Sequence, residues 1–190
     1  MNYAGDFHAN ITEWLLGWGS GNKDAESLLF SNLERQLKNM CRRQLARVIS
    51  PKLTYCPTEV FHELYLRLNA QAKGMNWDNR KQFFFIAGRV IRQILVDEIR
   101  KKKSCKRKGD HRTFIDEMDL GGKEPLSIEA LDGALARLET HDSLSAKIVE
   151  LRFFVGMTFR ETAELLKLTE GQIKHRWLKA KIWLQCYLNK

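Results

Sequence analysis

Proline is nearly missing from this chain, with three in 190 residues at positions 51, 57 and 125. Each proline breaks or bounds a helix, so their scarcity leaves room for long uninterrupted ones. Sustained alternation of apolar and polar residues is also missing, which removes the signal of a half-buried strand. Cysteines are few and scattered: Cys41, Cys56, Cys105 and Cys186 form no CxxC pair, and no histidine stands at zinc-ligand spacing beside them. They read as reduced structural thiols, and no metal or other cofactor is expected. The HELYL run at 62–66 lacks the second histidine that a zinc-protease helix needs. Long hydrophobic runs are absent too. The most apolar stretch, FFFIAG at 83–88, is far too short to cross a bilayer, and the opening MNYAGDFHAN shows no basic region followed by an apolar one. A cytoplasmic location is expected.

Acidic charge is the minority sign. Against 32 Lys and Arg stand 23 Asp and Glu, a formal net charge of +9. An excess of that size points to a polyanion or an anionic surface as partner, because Lys and Arg release the counterions condensed on phosphates. The 44% hydrophobic and 29% charged content is that of a folded protein.

What is present is helical periodicity. From Asn22 to Val48, Leu29, Leu33, Leu37 and Met40 recur at a spacing near 3.6 until Ser50 and Pro51 interrupt. A second helix is expected from a Thr58 cap to Gly74, with Val60, Leu64 and Leu68 on one face. A third runs from about Lys81 to Arg100. The short leader MNYAGDFHAN at 1–10 is left open, either disordered or packed against the first domain.

After Arg100 the composition shifts. RKKKSCKRKGDHR at 100–112 carries eight cations against one Asp and is followed by the Gly- and Pro-containing acidic stretch DEMDLGGKEP. So few apolar residues and so much like charge predict a flexible basic linker. The fold class expected is all-α: two small helical domains, at 1–103 and 127–190, joined by a linker at 104–126.

In the second half, Ile128, Leu131, Leu135 and Leu138 share one helix face, and Leu144, Ile148, Leu151 and Val155 the next, which Gly156 closes. Thr158-Phe-Arg-Glu161 and Thr169-Glu-Gly-Gln172 both fit the capping box. Two short helices separated by so tight a turn form a helix-turn-helix. Ile173, Trp177, Ala180 and Leu184 give its second helix a core face, while Gln172, Lys174, His175, Arg176 and Lys179 give it a basic one. Residue types leave two readings of that second face, a solvated surface or a reader of the DNA major groove.

The run VELRFFVGMTFRETAELLKLTEGQIKHRWLKAKIWL at 149–184 resembles region 4 of the sigma-70 family, in its extracytoplasmic function (ECF) branch. TEGQIK approaches the family pattern at the recognition helix. Lys167 departs from it, standing where a turn glycine is usual, and a left-handed non-glycine costs about 1 kcal/mol. Independently, TEVFHELYLRL at 58–68 resembles region 2.2, and NRKQFFFIAGRVIRQILVDEIRKKK at 79–103 resembles regions 2.3 and 2.4. The resemblance covers nearly the entire chain.

The resemblance implies a non-catalytic subunit that gives core RNA polymerase its promoter specificity. It implies work in the bacterial cytoplasm, at the nucleoid when bound to polymerase. Lys174, His175 and Lys179 then fall where the upstream (-35) promoter element is contacted. The helix at 58–68 would grip polymerase through Glu59, Phe61, Glu63, Leu64 and Arg67, although Glu63–Arg67 is equally an ordinary ion pair and Leu64 equally core. Asn76, Trp77, Asn79 and Arg80 in the loop, with Arg89, Arg92 and Gln93 on the helix, would melt and read the downstream (-10) element. Trp77 is open between core and base contact. Promoter DNA and core RNA polymerase are the partners implied, and an anti-sigma factor clamping the two domains is left open. The rival is a stand-alone helix-turn-helix repressor or activator. A nucleic-acid-processing enzyme finds no acidic metal cluster, phosphate loop or nucleophile here.

Overall fold

The computed structural model describes residues 3–47, 56–72, 77, 79–105 and 128–189. Among these no strand occurs, and the chain is all-α as expected. The N-terminal half comprises α1 (Tyr3–Gly19), α2 (Lys23–Arg47), α3 (Pro57–Ala72) and α4 (Arg80–Cys105). The C-terminal half comprises α5 (Ile128–His141), α6 (Ser143–Val149) with a π-helical continuation at Glu150–Val155, α7 (Phe159–Leu166) and α8 (Glu170–Leu188).

From Tyr3 onward the leader is part of a helix, α1, that continues to Gly19. Ile11, Leu15 and Trp18 are buried, so α1 packs on α2 by the i, i+4, i+7 rule that builds the other elements. Gly17 makes the contact close: a Cβ there would stand 2.8 Å from that of Ala25. Asn22 then starts α2, its side-chain oxygen accepting from the amides of Asp24 at 2.9 Å and Ala25 at 3.2 Å.

Thr58 does not cap α3. The helix begins at Pro57, whose fixed φ and missing N–H suit the first helical position. Cys56 is the residue before it: its carbonyl accepts the first helical amides, and its own N–H donates to Glu59 Oε2 at 2.7 Å. The N-terminal core is formed by Leu29, Leu33, Leu37, Val60, Leu64, Leu68, Phe83, Ile91 and Leu95, all almost fully buried.

In the C-terminal half Ile128, Leu131, Leu135 and Leu138 are buried as their spacing predicts. The helix from Ser143 ends at Gly156 with φ 83°, again as expected, but its last stretch winds as a π-helix. Both capping boxes form, at Thr158/Glu161 and Thr169/Gln172. Lys167 takes the left-handed turn with φ 54°.

The two halves are packed together. Gly88 of α4 lies so near the π-helical stretch that an added Cβ would be 2.7 Å from Val155 Cγ2. Gln44 Nε2 donates to the Phe154 carbonyl at 3.1 Å, and Arg43 to that of Val155 at 3.2 Å, satisfying acceptors freed at the helix end. One continuous apolar cluster holds residues of both halves. The expected linker at 104–126 lies outside the described residues apart from its first two, which belong to α4.

Candidate nucleic-acid interface

Helix α8 is seated by its apolar side and fixed at its start. Ile173, Ala180 and Leu184 are buried against α5, α6 and α7. The Arg152 guanidinium stacks 3.9 Å from the Phe159 ring of α7 and 5.7 Å from the Trp177 ring of α8, a cation-π clamp across the turn. Thr169 Oγ1 accepts from the Gln172 amide at 3.3 Å, and Gln172 Oε1 accepts from the Thr169 amide at 2.9 Å.

On the outer side Gln172, Lys174, His175 and Lys179 are exposed. Gln172 spends its carbonyl on the cap, which leaves its amide NH2 to meet an acceptor. Lys174 stands 3.7 Å from Glu170 and 5.8 Å from the Phe159 ring, both solvent-facing contacts worth little against a phosphate. Arg176 is half-buried and paired with Asp142 at 3.2 Å. Burial raises the Asp142 pKa, but bonds from Ser145 and the charge of Arg176 outweigh it and hold the carboxyl below its usual range. Arg176 is thereby tied to the start of α6.

The residues proposed for the -10 element are less accessible than their sequence suggests. Asn76 lies outside the described residues. Trp77 is a core residue, 1% exposed, its ring stacked on Trp18 at 5.3 Å and edge-on to Phe83 at 5.7 Å. Asn79 caps α4, accepting from the Gln82 amide at 3.0 Å. Arg80 lies over the Phe84 ring and donates to Gln36 at 2.6 Å, and burial draws its pKa down. Arg89 makes a two-point pair with Glu139, both distances 3.1 Å.

Arg92 is held inside. Its side chain is 6% exposed and meets Asp132 and Glu150 at 2.7 Å each, with the guanidinium over the Phe154 ring. Burial pushes the Glu150 carboxyl up in spite of Arg92. Gln93 alone of the α4 candidates is exposed.

On α3, Leu64 is fully buried in the core and offers no surface. Phe61 is half-buried with Lys38 5.3 Å from its ring. Arg67 bridges Glu63 at 2.7 Å and Asp97 of α4 at 2.9 Å, so the ion pair is part of the α3–α4 contact. Glu59 serves the helix start. Leu66, which the core period of α3 skips, is 48% exposed.

Sequence reasoning missed Asp132, Glu139 and Glu150, the carboxylates that cover Arg89 and Arg92. Their pairing joins residues some forty to sixty positions apart, and no local period marks it. Among the described residues no cluster of three or more His, Cys, Asp or Glu could hold a metal ion, and no helix is long and apolar enough to cross a membrane. Burial pushes the Cys41 thiol up to about 12, which makes it inert.

No curated protein sequence significantly matches the chain. Among solved structures it is similar to that of CnrH in complex with the cytosolic domain of CnrY, at 17% identity and a TM-score of 0.43, over 95% of this chain and 97% of that one. The model of the ECF sigma factor family matches residues 8–190. Spanning nearly all of both halves, that match shows that the chain belongs to the ECF sigma factor family.

Proposed function

We propose that this sigma factor reads its promoter with two surfaces, α8 on duplex DNA at the -35 element and residues 74–82 with the rest of α4 on the opened -10 element, while α3 grips core RNA polymerase. The observation that carries the reading is the exposed basic face of α8, where Lys174, His175 and Lys179 project from a helix-turn-helix locked by two capping boxes and the Arg152 clamp. A merely solvated face does not require a helix fixed so firmly at its first turn. Backbone amides at the start of α8 add an anion-favouring end.

Residues 1–103 then act as the polymerase-binding and melting domain, and residues 127–190 as the -35 domain. The tether at 104–126 raises the effective concentration of the second contact once the first is made. Arg89, Arg92 and Gln93 supply α4 with two cations and an amide for a single strand. Trp77 contributes from within, through its stack on Trp18. Glu63, Arg67 and Leu66 offer polymerase a polar rim around an apolar anchor. The chain binds and orients and performs no covalent chemistry, its place is where polymerase works, in the cytoplasm, and an anti-sigma factor is a further partner consistent with this reading.

Transcription with purified core RNA polymerase tests this directly. Specific initiation is expected only when polymerase and the protein are both present. Lys174→Ala or Lys179→Ala should lower it about tenfold, the effect of ~1.4 kcal/mol of lost DNA contact. Binding of a duplex site by the protein alone, with no association with core enzyme, would instead identify a stand-alone repressor or activator.

A further inference from the structure

A cleft of about 1050 Å³ opens between α2, α4 and α7, at the upper end of the range for small-molecule sites. Its floor is apolar, with Met40, Phe84, Val155 and Met157 all buried. Its walls are cationic. Arg42, Arg43, Arg80, Lys81 and Lys167 line it against two carboxylates, Glu161 and Glu164. Both carboxylates are engaged, since Glu161 completes the capping box of α7 and Glu164 holds Lys81 at 3.1 Å and Arg160 at 3.2 Å.

The polar groups that remain are donors. Gln36 Oε1 accepts from Arg80 at 2.6 Å, Asn39 Oδ1 from Arg42 at 2.9 Å and Asn79 Oδ1 from the Gln82 amide at 3.0 Å. Each side-chain amide spends its oxygen inside the wall and keeps its NH2 group for another acceptor. An acyl anion offers such groups nothing beyond its own carboxylate, whereas the ring nitrogens and carbonyls of a nucleobase supply acceptors on a flat body that suits an apolar floor. Several cations together suit a ligand with more than one phosphate.

Two backbone features build these walls. Gly156, at φ 83°, lies so near Arg43 that an added Cβ would stand 2.6 Å from Nη1, and Arg43 donates to the Val155 carbonyl at 3.2 Å. Lys167 takes its left-handed turn at φ 54°, where glycine would be less strained. A charged side chain kept at a strained position on a cationic cleft points to a use for that charge.

We propose that this cleft binds a nucleotide carrying at least two phosphates, its base on the apolar floor within reach of the amides of Gln36, Asn39 and Asn79 and its phosphates against Arg42 and Lys167. The inference goes beyond promoter reading, and Arg42 and Lys167 belong to neither of the promoter-reading surfaces.

Titration calorimetry of the full chain with ADP and with GDP, at physiological ionic strength, tests it. At least one of the two should bind one-to-one, with inorganic pyrophosphate about tenfold weaker because it lacks the base. Lys167→Gly and Arg42→Ala should each weaken nucleotide binding about tenfold. Arg137→Ala removes the same charge from an exposed position on α5 outside the cleft and should leave binding unchanged. Lys167→Gly relieves backbone strain, so its loss of affinity is not a loss of fold, and thermal unfolding of each variant checks this.

Absence of saturable binding by both nucleotides overturns the proposal. Pyrophosphate binding as tight as that of the nucleotide would mark an anion site only, and an equal loss with Arg137→Ala would mark diffuse attraction; either overturns it as well. So does a folded cleft variant that binds as wild type does. A short single-stranded DNA oligonucleotide is titrated in parallel: if it alone binds and responds to Lys167→Gly and Arg42→Ala, the cleft is a path for a strand and not a nucleotide site.

Discussion

Thr158 and Glu161 show how single residues define the start of α7. Thr158 Oγ1 accepts from the Glu161 amide at 3.1 Å, while the Thr158 amide donates to Glu161 Oε2 at 2.7 Å. That backbone bond, with the one from the Thr158 hydroxyl, holds the Glu161 carboxyl below its usual range. A depressed folded-state pKa stabilises the protein above the ordinary carboxylate range, and the contribution disappears as pH falls through the depressed value. Thr158→Ala should cost about 1 kcal/mol at neutral pH. Thermal unfolding followed from pH 7 downward should show the gap between variant and wild type narrowing as Glu161 takes up its proton. Both residues were legible in the sequence, since a capping box is a local device. The burial of Trp77 was not: choosing between core and base contact required knowing that Trp18 of α1 lies 5.3 Å away.

At the scale of elements, the turn between α7 and α8 carries a local cost. Lys167 sits at φ 54°, and its amide donates to the Ala163 carbonyl to close α7. Lys167→Gly should raise stability by about 1 kcal/mol or less, since glycine loses the Cβ strain but gains unfolded-state freedom. A shift in urea midpoint without a change in slope would register it, and a fall in stability would mean that the lysine side chain contributes more than its backbone costs. The π-helical winding at Glu150–Val155 belongs to this scale as well. Leu151, Val155 and Gly156 mark it as helical in the sequence, but the extra residue per turn has no period of its own in so short a stretch. It is held by the neighbours that bind its carbonyls, Gln44 and Arg43, which lie more than a hundred residues earlier in the chain.

Over the whole molecule, packing of α4 on the π-helical stretch makes the two halves one cooperative unit. Calorimetry of the wild-type protein should show one unfolding transition, with equal calorimetric and van't Hoff enthalpies. Two well-separated transitions would mean that the interface contributes too little to couple the halves. A chain of helices joined across residues 106–127 gives no sequence signal for this coupling, because linker composition describes only the connection and not what the connected parts do to each other.

The sequence by itself determined the helices from α2 onward, most of their ends, their buried faces, the helix-turn-helix and its basic outer side. All of these follow from spacings of three or four residues and from caps, which act within one turn of chain. The tertiary structure alone decided which candidate side chains are free. It buried Trp77, tied Arg176 to Asp142, and set Arg89 and Arg92 against Glu139, Asp132 and Glu150. Charge and burial at those positions depend on partners distant in sequence, and only the folded chain brings them within 3 Å or so of one another.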